Sequence, residues 1–217
     1  MRDYDAAVFD MDGLIFDSER AGFECWSEVA KTYGYHDITV LYRECIGCSR
    51  VRVEKLVKGA FGEDFPFDRF REEVYVLYTG RYGGGKMPVK PGVREILAFL
   101  KEKGKKTALA SSSDREMVFR LLDGAGLTEY FDGIVAGDMV TRSKPEPDIF
   151  LAACDLLGTA PERTVAVEDS YNGIRAAHAG GLRPVMVPDM LPADEEMHSL
   201  AETVEDSLLD VIRWLET

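Results

Sequence analysis

Short apolar runs alternate with segments of helical spacing along most of the chain. A first apolar run at 6–9 predicts a buried strand. Further strands are predicted at 106–110, 133–136, 164–167 and 184–187, with helices at 93–103, 114–122, 148–157 and 173–179 and a last helix at about 207–215. Strands that alternate with helices are typical of βαβ units, which build a parallel sheet covered by helices on both faces. The pattern therefore predicts an α/β fold.

A purely helical stretch interrupts this alternation directly after the first strand. One helix is predicted from Asp17 or Ser18 to Gly34, and two or three more follow before the flexible segment 83–85. We interpret residues 17–85 as a small inserted helical domain. Residues 1–16 and 86–217 would then form the core that carries the sheet.

Composition and charge narrow the range of partners. The chain has 217 residues, of which 46% are hydrophobic and 30% charged, so it is long enough to bury a core without disulfides. The formal net charge is −13, which argues against a nucleic-acid partner. No apolar run approaches the roughly 18 residues of a membrane helix, and we see no secretory leader. We therefore expect a cytoplasmic protein with no membrane partner.

Polar residues follow the predicted strands at their carboxyl ends. They are Asp10 and Asp12 after the first strand, Ser111, Ser112 and Ser113 after the second, Lys144 in the loop after the third, and Glu168 and Asp169 after the fourth. Parallel sheets of this kind bind ligands beyond the carboxyl ends of their strands. The sequence therefore predicts that these side chains meet at one edge of the sheet.

The two acidic pairs indicate a cation site. Asp10 and Asp12 lie on the same side of an extended strand, and Glu168 and Asp169 add oxygens from another strand. Few carboxylates, with room for water and phosphate, favour Mg²⁺ over Ca²⁺. Acids also follow strands as turn formers and helix caps, so it is the meeting of both pairs at one edge that favours a metal.

The amine and the hydroxyl groups indicate a phosphate. Lys144 precedes Pro145, which restrains the lysine beside a helix start, where its ammonium can act as a point charge. Ser111 is the better phosphate ligand of the serine run, whereas Ser113 or Asp114 is interpreted as the helix cap. A solvated loop lysine and simple capping by all three serines are the alternatives. Together these groups predict phosphoryl transfer to a carboxylate, with a second carboxylate protonating the leaving oxygen.

Four segments resemble the motifs of the haloacid dehalogenase-like phosphohydrolases. They are Phe9-Asp10-Met11-Asp12-Gly13-Leu14, Ala110-Ser111-Ser112-Ser113, Lys144-Pro145 and Val167-Glu168-Asp169-Ser170. The longer runs at 9–18 and 168–177 resemble the subgroup that contains beta-phosphoglucomutase and sugar-phosphate phosphatases. The resemblance spans essentially the whole chain, and it implies a Rossmann-like core with an inserted helical cap.

The resemblance also implies roles for individual residues. Asp10 would be the nucleophile and Asp12 the general acid and base. Asp10, the backbone carbonyl of Asp12 and Asp169 would hold Mg²⁺, with Glu168 as a further or water-mediated ligand. The phosphoryl group would be bound by Ser111 and Lys144, with Ser112 as a neighbouring candidate.

Two cap positions depart from the mutases of the subgroup. Gly22 stands where those enzymes carry a histidine, and Ile46 stands where they carry a lysine. Arg50 does match, and it is expected to touch a substrate phosphate or hydroxyl from the cap. We therefore predict a Mg²⁺-dependent phosphatase of small phosphomonoesters, such as sugar or polyol phosphates.

Three points stay open at this level. The alternative functions are a hexose-phosphate mutase and, more remotely, a non-catalytic phospho-accepting switch. The partner is expected to be a small phosphorylated metabolite. A monomer is expected, with a homodimer as the alternative.

Overall fold

Six parallel strands form the centre of the molecule. The computed structural model describes residues 2–46, 48 and 50–217. The strands are β1 Ala6–Phe9, β2 Lys106–Ser111, β3 Gly133–Ala136, β4 Thr164–Glu168, β5 Arg183–Met186 and β6 Thr203–Val204, in the spatial order β3-β2-β1-β4-β5-β6. Strand β1 pairs with β2 on one side and with β4 on the other. The carboxyl end of β1 therefore lies in the middle of the sheet edge, and the predicted α/β class is confirmed.

Helices cover both faces of the sheet because successive side chains of a strand point to opposite faces. The helices of the core are α5 Val93–Glu102, α6 Arg115–Ala125, α7 Asp148–Leu157, α8 Tyr171–Ala179, α9 Glu195–Leu200 and α10 Leu208–Glu216. In β1, Ala7 and Phe9 pack in a cluster with α5, α6 and α10. Ala6 and Val8 pack on the other face in a cluster with α7 and α8.

The inserted stretch is helical and has its own apolar cluster. Its helices are α1 Ser18–Thr32, α2 Thr39–Cys45, α3 Arg50–Phe61 and α4 Phe67–Tyr82. Buried residues from all four helices, including Cys25, Val57 and Phe70, pack together. We call α1–α4 the cap. The domain boundaries at 17–85 stay a prediction.

Two segments join the cap to the core, and they run beside each other. Phe16 forms an isolated antiparallel bridge with Val89. The Asp17 N–H donates to the Pro88 carbonyl at 2.9 Å, and the Lys90 N–H donates to the Ile15 carbonyl at 2.9 Å. We call residues 13–17 the first linker and residues 86–91 the second linker.

The differences from the sequence prediction concern short elements. Helix α2 has seven residues and begins with the β-branched pair Thr39 and Val40, which have low helix propensity. Helix α9 has six residues and β6 has two, so neither shows a measurable periodicity. Cys25, Cys45, Cys48 and Cys154 are free thiols. Within the described part of the chain, no helix is both long and apolar enough to cross a membrane.

Candidate active site

A cavity of about 690 Å³ lies at the carboxyl edge of the sheet, below the cap. The residues that line it come from the ends of β1 and β4, from the neighbouring loops and from the cap. Those predicted from the sequence are Asp10, Asp12, Ser112, Lys144, Glu168 and Asp169, and Glu19, Ile46 and Cys48 face it from the cap. The structure therefore brings together residues from distant parts of the chain, as the strand-end argument predicts.

Lys144 connects two carboxylates at the centre of the cavity floor. Its Nζ donates to Asp10 Oδ1 at 2.5 Å, to Glu168 Oε1 at 2.7 Å and to the Ala110 carbonyl at 3.0 Å. The side chain is only 6% exposed, so Lys144 is held by the protein and is not a solvated loop lysine. Its role in phosphate binding stays a prediction. Burial alone would lower the pKa of Lys144, but the charges of Asp10 and Glu168 outweigh it and raise the pKa above its ordinary value. The ammonium is therefore charged at neutral pH.

Glu168 is held by protein donors on both of its oxygens. While Oε1 accepts from Lys144, Oε2 accepts from the backbone N–H of Asp169 at 2.9 Å, from the N–H of Ser170 at 2.8 Å and from the Ser170 hydroxyl at 2.9 Å. A Cβ on Gly173 would lie 1.7 Å from Oε1, so only glycine lets α8 approach this closely. These contacts orient Lys144, a role that the sequence does not predict. The part of Glu168 in a metal site stays a prediction.

The acidic groups of the floor fit a cation. Asp10, Glu168 and Asp169 each offer an oxygen, and these oxygens lie within 4.8 Å of one another. Asp169 Oδ1 is buried without a hydrogen-bond partner. Burial, followed by the charges of Glu168 and Asp12, raises the pKa of Asp10 to about 8 despite Lys144. Burial, and then Glu168 and Asp10, also raise the pKa of Asp169. One ammonium does not balance these carboxylates, whereas a hard cation with oxygen ligands would.

Asp12 stands beside the hydroxyl group of Ser113, one of the two residues predicted to cap the helix after β2. The Ser113 hydroxyl donates to Asp12 Oδ2 at 2.8 Å. The N-cap residue of α6 is Asp114, the other residue predicted for that position, and its side chain accepts from the N–H of Met117 at 2.9 Å. The signal that could have revealed Ser113 is its position in the same strand-end loop as Ser111.

The other two serines occupy different environments. Ser111 is fully buried, and its hydroxyl accepts from the N–H of Ser113 at 3.1 Å. Ser112 is exposed and is among the residues that line the cavity, whereas Ser111, the serine preferred from the sequence, is not. Their roles in phosphate binding stay predictions.

The cap contributes the carboxylate of Glu19, which the sequence pattern does not predict. Glu19 lies in the first turn of α1 and lines the cavity. The Tyr42 hydroxyl lies 3.1 Å from the Glu19 carbonyl and 3.4 Å from Glu19 Oε2. Burial, followed by the charges of Asp12 and Asp189, raises the pKa of Glu19. No motif could have identified Glu19, because its direction depends on how α1 packs over the sheet.

The structure does not bring Arg50 to this cavity. Arg50 is the first residue of α3, its side chain is 62% exposed, and it forms an ion pair of 2.8 Å with Asp68 of α4. It is not among the residues that line the cavity. The position is set by the start of α3, which directs this side chain along the surface of the cap.

Comparisons with known proteins agree with this geometry. Residues 4–181 match the family model of the haloacid dehalogenase-like hydrolases, and the chain belongs to that family. Its relatives and structural neighbours are the beta-phosphoglucomutase-like phosphatases of the family, so the predicted resemblance is confirmed. The chain is a phosphoric monoester hydrolase.

Three of these proteins are informative. The phosphorylated carbohydrates phosphatase of Thermotoga maritima is 33% identical over 181 residues, which cover 83% of each chain. Hexitol phosphatase B of Escherichia coli K12 is 32% identical over 215 residues, 94% of this chain and 96% of the relative. A family hydrolase from Deinococcus radiodurans R1, solved with bound phosphate and sodium, has a TM-score of 0.86 at 28% identity and covers 98% of this chain and 95% of its own.

Proposed function

We propose that the protein hydrolyses phosphorylated sugars or polyols in a Mg²⁺-dependent reaction that passes through an aspartyl-phosphate at Asp10. The observation that carries the proposal is the position of Lys144. Its ammonium holds one oxygen of Asp10 on the floor of a cavity that Asp12 also lines. A fixed carboxylate, a fixed positive charge and a second carboxylate are the groups that phosphoryl transfer to aspartate requires.

The chain's own residues account for both half-reactions. Lys144 engages Oδ1 of Asp10, so Oδ2 is the oxygen that attacks phosphorus while the bond from phosphorus to the ester oxygen breaks. Asp12 gives its proton to that leaving oxygen, because an alkoxide is a far stronger base than a carboxylate. Asp12 then takes a proton from water, which attacks phosphorus and releases Asp10. The Ser113 hydroxyl holds Asp12 in place for both steps.

Asp10, Asp169 and the backbone carbonyl of Asp12 would hold Mg²⁺, with Glu168 behind them. The unpartnered Asp169 Oδ1 and the acidic excess of the floor support this assignment. When bound, the ion would neutralise charge on the transferring phosphoryl group. Asp10 would then stay ionised, because a nearby cation lowers the pKa of a carboxylate.

Glu19 supports a polyhydroxylated substrate. A cap carboxylate repels phosphate but accepts hydrogen bonds from hydroxyl groups, so it suits the other end of a phosphorylated sugar or polyol. The names of the Thermotoga and Escherichia relatives agree with this class. Arg50 was the cap residue predicted for this task, but its ion pair with Asp68 gives it no such support.

The mutase alternative is less well supported. A Cβ on Gly22 would lie 2.4 Å from the Tyr42 hydroxyl, so the histidine that mutases carry there requires Tyr42 to move. Tyr42 is 8% exposed and its hydroxyl donates to the Glu19 carbonyl, so that movement would break its contact with Glu19. Incubation with glucose 1-phosphate and a hexose bisphosphate distinguishes the two functions. We expect free phosphate as the product, and glucose 6-phosphate without phosphate release would favour the mutase.

The nucleophile is tested by Asp10→Asn, with the exposed Asp206→Asn as the matched control. Release of phosphate from p-nitrophenyl phosphate with Mg²⁺ should fall at least about 10³-fold in the first variant and not in the second. Borohydride reduction during turnover should convert Asp10 to homoserine, detectable by peptide mass spectrometry. Full turnover by Asp10→Asn would refute the proposal.

The substrate class is tested by Glu19→Gln. Lost hydroxyl contacts should raise KM for sugar and polyol phosphates, while KM for p-nitrophenyl phosphate changes little. Equal effects on both kinds of substrate would contradict the proposed role of Glu19.

A further inference from the structure

A buried ion pair lies where the two linkers enter the core. The Lys90 ammonium donates to the carbonyl of Gly13 in the first linker at 2.6 Å. It also donates to Asp189 Oδ1, in the loop after β5, at 2.6 Å. The two side chains are 19% and 8% exposed. Lys90 therefore joins both linkers to a core loop at the carboxyl edge of the sheet.

Gly13 is the point where this contact reaches the active site. It follows Asp12 directly, has a φ of +84°, and approaches Asp169 so closely that a Cβ would lie 2.2 Å from Asp169 Oδ2. The N–H of Gly13 is bound on its other side by the Phe16 carbonyl at 2.9 Å. A carbonyl fixed by Lys90 thus sets the path of the backbone that carries Asp12.

Asp189 shows why a cation is needed here. Its Oδ2 is buried without a hydrogen-bond partner, so Lys90 is the group that compensates its charge. After burial and closer acids, the charge of Asp189 also raises the pKa of Asp169. Without the ammonium, a buried carboxylate would stay unpaired next to the acidic floor, which is costly.

We propose that Lys90 is a positioning residue that holds the Gly13 carbonyl against Asp189 and thereby keeps Asp12 aligned with the substrate. The contact has two separable consequences. The bond to Asp189 offsets a buried charge and contributes stability, whereas the bond to Gly13 fixes the backbone next to Asp12 and contributes to kcat. This inference rests on the proposed function, in which Asp12 moves the proton.

The two consequences can be separated by Lys90→Met and by the double variant Lys90→Met/Asp189→Asn. The first variant leaves Asp189 charged and unpaired, so its Tm should fall. The double variant has no buried charge, so its Tm should return towards that of the wild type. In both variants we expect kcat to fall at least about tenfold, because misplacing a reacting group by about 1 Å can cost 10²-fold. KM should change less than about threefold, since Lys90 does not contact substrate.

Lys106→Met is the matched control, because Lys106 Nζ also donates to a backbone carbonyl, that of Leu157, at the other end of the sheet. All variants are assayed with Mg²⁺ and p-nitrophenyl phosphate well below the lowest Tm. A double variant with restored Tm and reduced kcat supports the proposal. A double variant whose kcat falls less than about tenfold from that of the wild type overturns it, whether or not Tm recovers. The two possible failures are distinguishable. If the wild type releases no phosphate, the proposed function itself fails, whereas an active wild type with an unaffected double variant refutes only the role of Lys90.

Discussion

Replacing Glu168 with glutamine tests the hydrogen-bond network that holds Lys144. Four donors share the two oxygens of Glu168, which is fully buried. Glutamine has nearly the same shape but offers only one oxygen and adds an NH₂ donor. If its oxygen faces Lys144, the NH₂ group meets the backbone N–H groups of Asp169 and Ser170. If the glutamine oxygen instead faces the backbone N–H groups, the NH₂ group meets the Lys144 ammonium.

The expected magnitude follows from these contacts. Removing one partner of a buried ion pair costs about 3–5 kcal/mol in free energy of unfolding. Lys144 keeps Asp10 and the Ala110 carbonyl, so we expect the lower end of this range, about 3 kcal/mol. For a chain of this length each kcal/mol lowers Tm by about 2–4 °C, which gives about 6–12 °C. The displaced ammonium should also lower kcat by about 10²-fold.

Thermal and urea denaturation measure the first effect, and phosphate release from p-nitrophenyl phosphate measures the second. Glu129→Gln, at an exposed position, is the control for a lost negative charge. A Glu168→Gln variant would refute the reasoning if it kept its kcat and if its free energy of unfolding stayed within about 0.5 kcal/mol of the wild type, the usual range for harmless surface substitutions.

Three further predictions concern other groups of the site. Gly173→Ala should displace the Glu168 carboxylate and lower both Tm and kcat. The control Gly59→Ala lies in a helix with open space around it and should stabilise the protein by up to about 1 kcal/mol. Equal Tm shifts of the two variants in thermal denaturation would contradict this. Mg²⁺ at about 100 times its Kd should stabilise the protein by about 2.7 kcal/mol, and Asp169→Asn, but not Asp206→Asn, should abolish that rise in Tm. Tyr42→Phe should loosen Glu19 and raise KM for sugar phosphates, while KM for p-nitrophenyl phosphate stays unchanged. Unchanged KM values for both substrates would exclude a role of Tyr42 in holding Glu19.

The sheet and the floor of the cavity could be predicted from the sequence because both depend on local signals. Apolar runs specify buried strands, and a parallel sheet places the residues after each strand at one edge. Asp10, Lys144 and Asp169 could therefore be placed in one site although they are far apart in the chain. That argument needs only the direction of the strands and no side-chain geometry.

The remaining contacts depend on packing that no local pattern records. Ser113 and Asp114 were both candidates for the N-cap of α6, and Asp114 holds that position. Only the turn after β2 shows that the Ser113 hydroxyl donates to Asp12. Glu19 lies in the first turn of α1, directly after the first linker, and only the packing of the cap shows that it lines the cavity. Arg50 was expected at the cavity, but the start of α3 and the charge of Asp68 place it on the surface of the cap.

The net negative charge of the chain bears on how the cavity could bind a phosphate. A chain with a formal net charge of −13 repels a phosphate dianion, so its binding site must supply a local positive field. Among the described residues that line the cavity, five are acidic, and the Lys144 ammonium already binds two of them. The other cation there, Arg175, is paired with Glu196 at 2.5 Å. If the proposed function holds, a phosphate dianion would meet a net negative cavity unless a metal cation offset it, so the acidic floor and the binding of phosphate would be parts of one requirement.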